Sequence, residues 1–189
     1  MSASPFAGPA SLESLNALPD ELAREQMLAC CSSPRWAAEV ASGRPYASVD
    51  EVIARSDRSV ARLAQEDLAD ALAGHPRIGD RPGAAAAGGT NAREGAAAGW
   101  SRREQAGVQA ADQATAQALA GGNRAYEERF GHIYLVCAAG RSGAELLALL
   151  GQRLGNDPGT EWDVVRSELG KINQVRLRKL LEPGAGNRP

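Results

Sequence analysis

Aromatic side chains are scarce in this chain: three Trp, three Tyr and two Phe among 189 residues. A core so short of rings has to be filled by Leu, Val, Ile and Ala, which suits packed helices. Cysteine is also sparse, at Cys30, Cys31 and Cys137. The number is odd, two are adjacent and no C-x-x-C occurs. That argues against a disulfide framework and offers no zinc-site spacing. Cys137 lies inside an apolar run and reads as a small core residue. Histidine occurs only as His75 and His132, and neither has a His, Asp or Glu three or four residues further on. No metal is expected.

Charge of one sign is missing too. Lys and Arg number 21 against 23 Asp and Glu, a net charge of -2, spread along the chain. No basic footprint for nucleic acid exists, and no charged block for a membrane surface. No apolar run approaches the ~18 residues of a membrane-spanning helix. The opening "MSASPFAGPA" has neither the charged nor the apolar region of a secretory signal, and "GAGNRP" is not a peroxisomal address. A cytoplasmic protein is expected. G-x-x-x-x-G-K-[ST], G-x-G-x-x-G and G-x-S-x-G are all absent. So are sustained strand alternation and repeats of about 20–50 residues.

What is present is helical periodicity with clear punctuation. Helices are expected over 18–31, from Pro34 to before Gly43, and from Ser48 to about Ala73 with a break near Ser56 to Ser59. Gly74 and Pro76 stop that run. A helix over 100–122 is expected to end at Gly121 and Gly122, with Asn123 capping a short helix to Phe130. "GHIYLVCAAG", 131–140, reads as extended or as a buried turn. Helices follow over 142–154 and from Asp157 and Pro158 to about Leu181. Ser48 with Glu51, Ser101 with Glu104 and Ser142 with Glu145 match the capping box, S-x-x-E. The expected fold is all-α, a single-domain bundle of about seven to nine helices over 11–183. It has a frayed start over 1–10, an Ala/Gly-rich loop over 82–100 and a flexible tail over 184–189.

Three places invite chemistry, and each has a plainer explanation beside it. Trp162, Val165, Leu169 and Ile172 form an apolar seam, and Arg176 takes the next position on it. A buried guanidinium needs an anion, either a carboxylate of a neighbouring helix or a substrate. Ser101 and Glu104 cap a helix, but a helix start with Gln105 beside it also suits an anionic or amide ligand. His75 follows a helix end as many structural histidines do. Pro76 nevertheless stiffens its backbone, and a histidine is the natural proton carrier at neutral pH.

Four segments together resemble the OHCU decarboxylases, the 2-oxo-4-hydroxy-4-carboxy-5-ureidoimidazoline decarboxylases of urate degradation. They are "GHPRIGD", "WSRREQAGV", "YEERFGHIYLVCAAGRS" and "RLGNDPGTEWDVVRSELGKINQVRLRKLL". The resemblance runs over roughly 12–182 and is of a bacterial type. It implies an all-helical, cofactor-free, homodimeric enzyme that converts OHCU to (S)-allantoin and carbon dioxide. It implies His75 as proton donor, with Glu104 and Arg176 as the other catalytic groups. Substrate contacts are implied at Pro76, Ser101, Glu104, Gln105, Arg176 and the stretch His132, Ile133, Tyr134, Leu135 and Val136, where the backbone meets the ligand. Functional coupling to urate oxidase and hydroxyisourate hydrolase is implied, with no fused hydrolase domain in this chain. Two rival expectations are a lyase or hydrolase acting on a related ureido acid, and a non-catalytic helical dimer module.

Overall fold

The computed structural model describes residues 11–79 and 113–182. The expected frayed start, the Ala/Gly-rich loop, the helix start at Ser101 and the tail lie outside them. Eight helices and no strand occur among the described residues, so the all-α expectation holds. They are α1 (Leu12–Ala17), α2 (Asp20–Cys30), α3 (Pro34–Ala41), α4 (Val49–Val60), α5 (Gln65–Ala73), α6 (Gln113–Phe130), α7 (Gly143–Arg153) and α8 (Pro158–Leu181). None is long and apolar enough to cross a membrane.

The helix starts follow local chemistry. Ser11, Ser33, Ser48 and Ser142 each accept a backbone N–H at the start of α1, α3, α4 and α7. The box at Ser142 is reciprocal, with Glu145 returning a bond to the Ser142 N–H. At Ser48 the return differs: Glu51 takes the Ala47 N–H instead. Asp157 receives the N–H groups of Gly159 and Thr160 at the start of α8.

The contacts group into two compact units, residues 1–71 with 170–189, and residues 72–169. In the first, α3 packs against α2 and α4. Met27, Trp36, Val40, Val52 and Leu68 are fully buried there, together with Leu177. The Trp36 indole N–H donates to Ser56 Oγ at 3.1 Å. That bond keeps a buried serine inside the helix, and the expected break near Ser56 to Ser59 is corrected to residues 61–64. The short α1 was not foreseen; Ser11 caps it and Leu15 buries it.

In the second unit α6 packs on α7. Its core joins Ile78, Leu119, Tyr126, Tyr134, Val136, Ala138, Leu146 and Leu150. The expected helix end at Gly121 and Gly122 is wrong, because α6 runs on unbroken to Phe130. A Cβ on Gly122 would stand 2.5 Å from Leu150 Cδ2. The glycine allows two helices to approach, and it does so without ending either. Asn123 is a buried mid-helix residue, not a cap. Cys137 is only half-buried, short of the core position expected.

Candidate active site

The first candidate group stands where α5 ends. The His75 N–H bonds to Leu72 O at 2.9 Å, closing the helix, and the half-buried His75 and Pro76 follow. The segment is then fastened to α6 in three ways. Ile78 enters the apolar core, and its carbonyl accepts from Asn123 Nδ2 at 2.8 Å. Arg77 grips Glu127 with two bonds, at 2.5 and 2.8 Å, and holds that carboxyl below its usual range. A short non-helical stretch is thereby fixed, and the imidazole with it.

The second group is the stretch 132–138. It is bounded by Gly131 and Gly140, both at positive φ, a region other residues rarely enter. Tyr134, Val136 and Ala138 all enter the cluster that holds Ile78, which is the period of two of an extended chain. The His75 segment and this strap therefore share one core. The Tyr134 hydroxyl donates to Leu146 O, and burial pushes the phenol up to about 12. The His132 ring packs 4.3 Å from Trp162 and lies edge-on to Tyr126. Its Nδ1 meets Ile133 O at 3.1 Å, which places the proton on Nδ1 because a carbonyl only accepts. The Tyr134 side chain is thus committed to packing and to the Leu146 carbonyl, while the buried His132 Nε2 has no hydrogen-bond partner among the described residues.

The backbone of the strap is asymmetric. In an extended chain the N–H and C=O of one residue share an edge, and those of the next residue point to the other. On the edge of 133, 135 and 137 two groups are held by side chains of α7 and α8. Leu135 O accepts from Arg153 Nη1 at 2.6 Å, and the Cys137 N–H donates to Glu168 at 2.8 Å. On the edge of 134 and 136, no N–H or C=O forms a hydrogen bond among the described residues. Yet Tyr134 and Val136 are only 2% and 4% exposed. Buried backbone polar groups are rarely left so, which makes this edge a candidate ligand surface.

The held edge rests on a buried network. Arg153 Nε and Nη2 donate to Glu161 at 2.8 and 2.5 Å, and Tyr126 donates its hydroxyl to the same carboxylate. Asn156 takes the other Glu161 oxygen at 2.7 Å. Burial and the adjacent carboxylate push the Tyr126 phenol far above its usual range. Burial, the largest single influence, would lower the Arg153 value, but the Glu161 bond and the attraction of Tyr126, Glu161 and Tyr134 together outweigh it.

The third candidate, Arg176, belongs to the first unit. It is 1% exposed, as its seam position implied, and Nη1 donates to Cys30 O at 2.8 Å. Asn173, one turn earlier on α8, is also buried. Burial raises the Cys31 thiol, with the Ser33 backbone, Asn173 and Arg176 opposing the rise. Ser101, Glu104 and Gln105 lie outside the described residues. No group of three or more His, Cys, Asp or Glu is placed to hold a metal among the described residues.

Sequence reasoning missed Arg153, Glu161 and Glu168. A signal existed for the first: Leu146, Leu150 and Arg153 step by helical spacing, as the seam before Arg176 does. The two glutamates also carried a signal, since Glu161, Val165, Glu168 and Ile172 step by helical spacing and all four are buried.

Comparison with known proteins adds identity to this geometry. The family model described as OHCU decarboxylase matches residues 16–178, across both units. The chain is 31% identical over 151 residues to the 2-oxo-4-hydroxy-4-carboxy-5-ureidoimidazoline decarboxylase of Amia calva, covering 79% of this chain and 81% of that one. It is 30% identical to the Uric acid degradation bifunctional protein TTL of Arabidopsis thaliana, over 87% of this chain; it spans only about half, 49%, of that longer protein. Among solved structures, OHCU decarboxylase crystallised with (S)-allantoin superposes with a TM-score of 0.68 at 25% identity, covering 84% of this chain and 98% of that one. A crystal structure of (S)-allantoin synthase, at 16% identity and a TM-score of 0.63 over 90% of this chain and 54% of that one, shares the fold.

Proposed function

The chain belongs to the OHCU decarboxylase family, and from that premise we propose that it is a carboxy-lyase of urate degradation that acts on OHCU and yields (S)-allantoin and carbon dioxide. The observation that supports this reading best is the 134 and 136 edge, which forms no hydrogen bond among the described residues, in the same core that fixes the His75 segment. A ureide ring carries N–H donors beside C=O acceptors. An extended backbone edge offers the matching alternation, as an edge strand does to another chain.

The chemistry asks for positioning and one well-aimed proton. The bond from ring carbon to carboxylate breaks and carbon dioxide leaves. The electron pair forms a C=C bond to the neighbouring ring carbon, and the C=N pair moves to nitrogen, which takes a proton. The ring hydroxyl then loses its proton to become a carbonyl, while the neighbouring carbon is protonated on one face. The substrate's own C=N accepts the electrons.

In this proposal His75 delivers the proton at carbon, which fixes the stereochemistry. Pro76 lies against the ligand, and the backbone of His132 to Val136 holds the ring. Arg176 and Gln105 bind carbonyl oxygens. Glu104 accepts ureido or ring N–H groups, and Ser101 adds a further hydrogen bond. The scissile carboxylate itself is best left weakly held, since gripping it would only deepen the ground state. The enzyme would act after urate oxidase and hydroxyisourate hydrolase.

His75→Asn tests the assignment of the proton. The variant should fold and still bind (S)-allantoin, and its turnover should fall about 10²–10⁴-fold, the usual worth of a positioned acid or base. Full activity in that variant refutes the role.

A further inference from the structure

The strap has no neighbouring strand among the described residues, yet one of its edges is gripped at two points by side chains. The organising groups are side chains of α7 and α8. Arg153 is 8% exposed at its side chain and Glu161 is fully buried. Burying an ion pair seldom adds stability over apolar residues of the same shape, so its presence calls for a further role. A guanidinium has five donors in a rigid fork. Arg153 divides them among the Glu161 carboxylate, the Tyr126 hydroxyl at 3.2 Å and the Leu135 carbonyl. Two residues on, Glu168 captures the Cys137 N–H from α8.

Both bonds lie on the same edge of the strap. Rotating the strap half a turn about its own axis would exchange its two edges and break both. We infer that Arg153 and Glu168 are positioning residues for substrate recognition: they lock the 135 and 137 edge so that the N–H and C=O groups of Tyr134 and Val136 face the ureide. This rests on the decarboxylase proposal above. Tyr126, Glu161 and Asn156 support the lock by fixing the Arg153 fork. Neither Arg153 nor Glu168 needs to touch substrate. The edge they present binds ring N–H and C=O groups that persist through the reaction, so it contributes to ground state and transition state alike. Such uniform binding appears in KM, with kcat little changed.

Three variants and one measurement on the unaltered protein test this. Arg153→Lys keeps a cation for Glu161 but loses the fork that reaches Leu135 O. Glu168→Leu removes the acceptor for the Cys137 N–H, and Glu168→Gln retains one. The expected result is a KM raised about tenfold or more in Arg153→Lys and Glu168→Leu, the scale of a lost ligand hydrogen bond or two. Their kcat should stay within about threefold, and Glu168→Gln should restore a near-native KM. In the unaltered protein, (S)-allantoin should slow amide exchange at Tyr134 and Val136 beyond any change at Cys137. Folded variants with native KM overturn the inference, as does an unchanged exchange rate at 134 and 136 under saturating allantoin. If the variants do not fold, the exchange measurement decides. A native enzyme that fails to decarboxylate OHCU overturns the underlying proposal instead. An active enzyme with unaffected variants overturns the positioning role alone.

Discussion

Replacing Asn123 with alanine tests how the His75 segment is held. The amide Nδ2 donates to Ile78 O at 2.8 Å, in the interior of the second unit. Removing the donor strands a buried carbonyl, at a cost of about 1–3 kcal/mol. Part of that is recovered, because Asn123 Oδ1 has no partner among the described residues and is lost with the side chain. A net destabilisation of about 1–2 kcal/mol is expected, or roughly 2–8 °C in Tm for a chain of this size. Ile78 still packs in the core and Arg77 still grips Glu127, so the fold persists. The segment carrying His75 three residues earlier becomes looser. Turnover, measured well below the lowered Tm, should therefore fall more than affinity for (S)-allantoin does. Circular dichroism at 222 nm gives the melt, and stereospecific allantoin formation gives the rate. A variant that melts earlier but turns over at the native rate refutes the idea that this tether aims the imidazole. An unchanged Tm refutes the energetic argument.

Two other perturbations follow from the same unit. Gly122→Ala places a Cβ against Leu150, and overpacking of about 1–3 kcal/mol outweighs the ~1 kcal/mol gained in helix propensity, so Tm should drop. A Leu150→Val change in that background should recover part of the loss, and failure to do so means the close approach is not the cause. For Glu127, the folded carboxyl is held below its unfolded value by Arg77. Its contribution is therefore present above the unfolded pKa, about 4.5, and is lost as pH falls through the lower folded value. Arg77 is half-exposed, so the pair is worth at most about 1 kcal/mol. Glu127→Gln should melt slightly earlier than the native protein at pH 7 and together with it near pH 2; a gap that persists in acid contradicts the pairing.

The all-α class was legible because helix signals are local. Ser48 and Ser142 at helix starts, the Gly74 and Pro76 stop and the Asp157 and Pro158 start act within a turn or two, and each of these appears where the pattern put it. Gly122 was misread because its meaning is tertiary: the same residue that ends many helices here admits Leu150. The break expected near Ser56 fell later because Trp36, twenty residues away, supplies that serine with a buried partner. Arg176 stood out as a cation in an apolar seam, and its burial agrees with that. Arg153 carried a similar signal over a shorter seam. What no periodicity could show is which edge of 132–138 is held, since the holding groups come from α7 and from α8, up to 31 residues further along the chain.

The most direct measurement is turnover itself. OHCU is generated in situ from urate with urate oxidase and hydroxyisourate hydrolase, this protein is added, and allantoin ellipticity is followed. Rapid appearance of the (S) enantiomer, well ahead of spontaneous decay and sensitive to His75→Asn, is the predicted result. Racemic allantoin forming at the spontaneous rate contradicts the assignment.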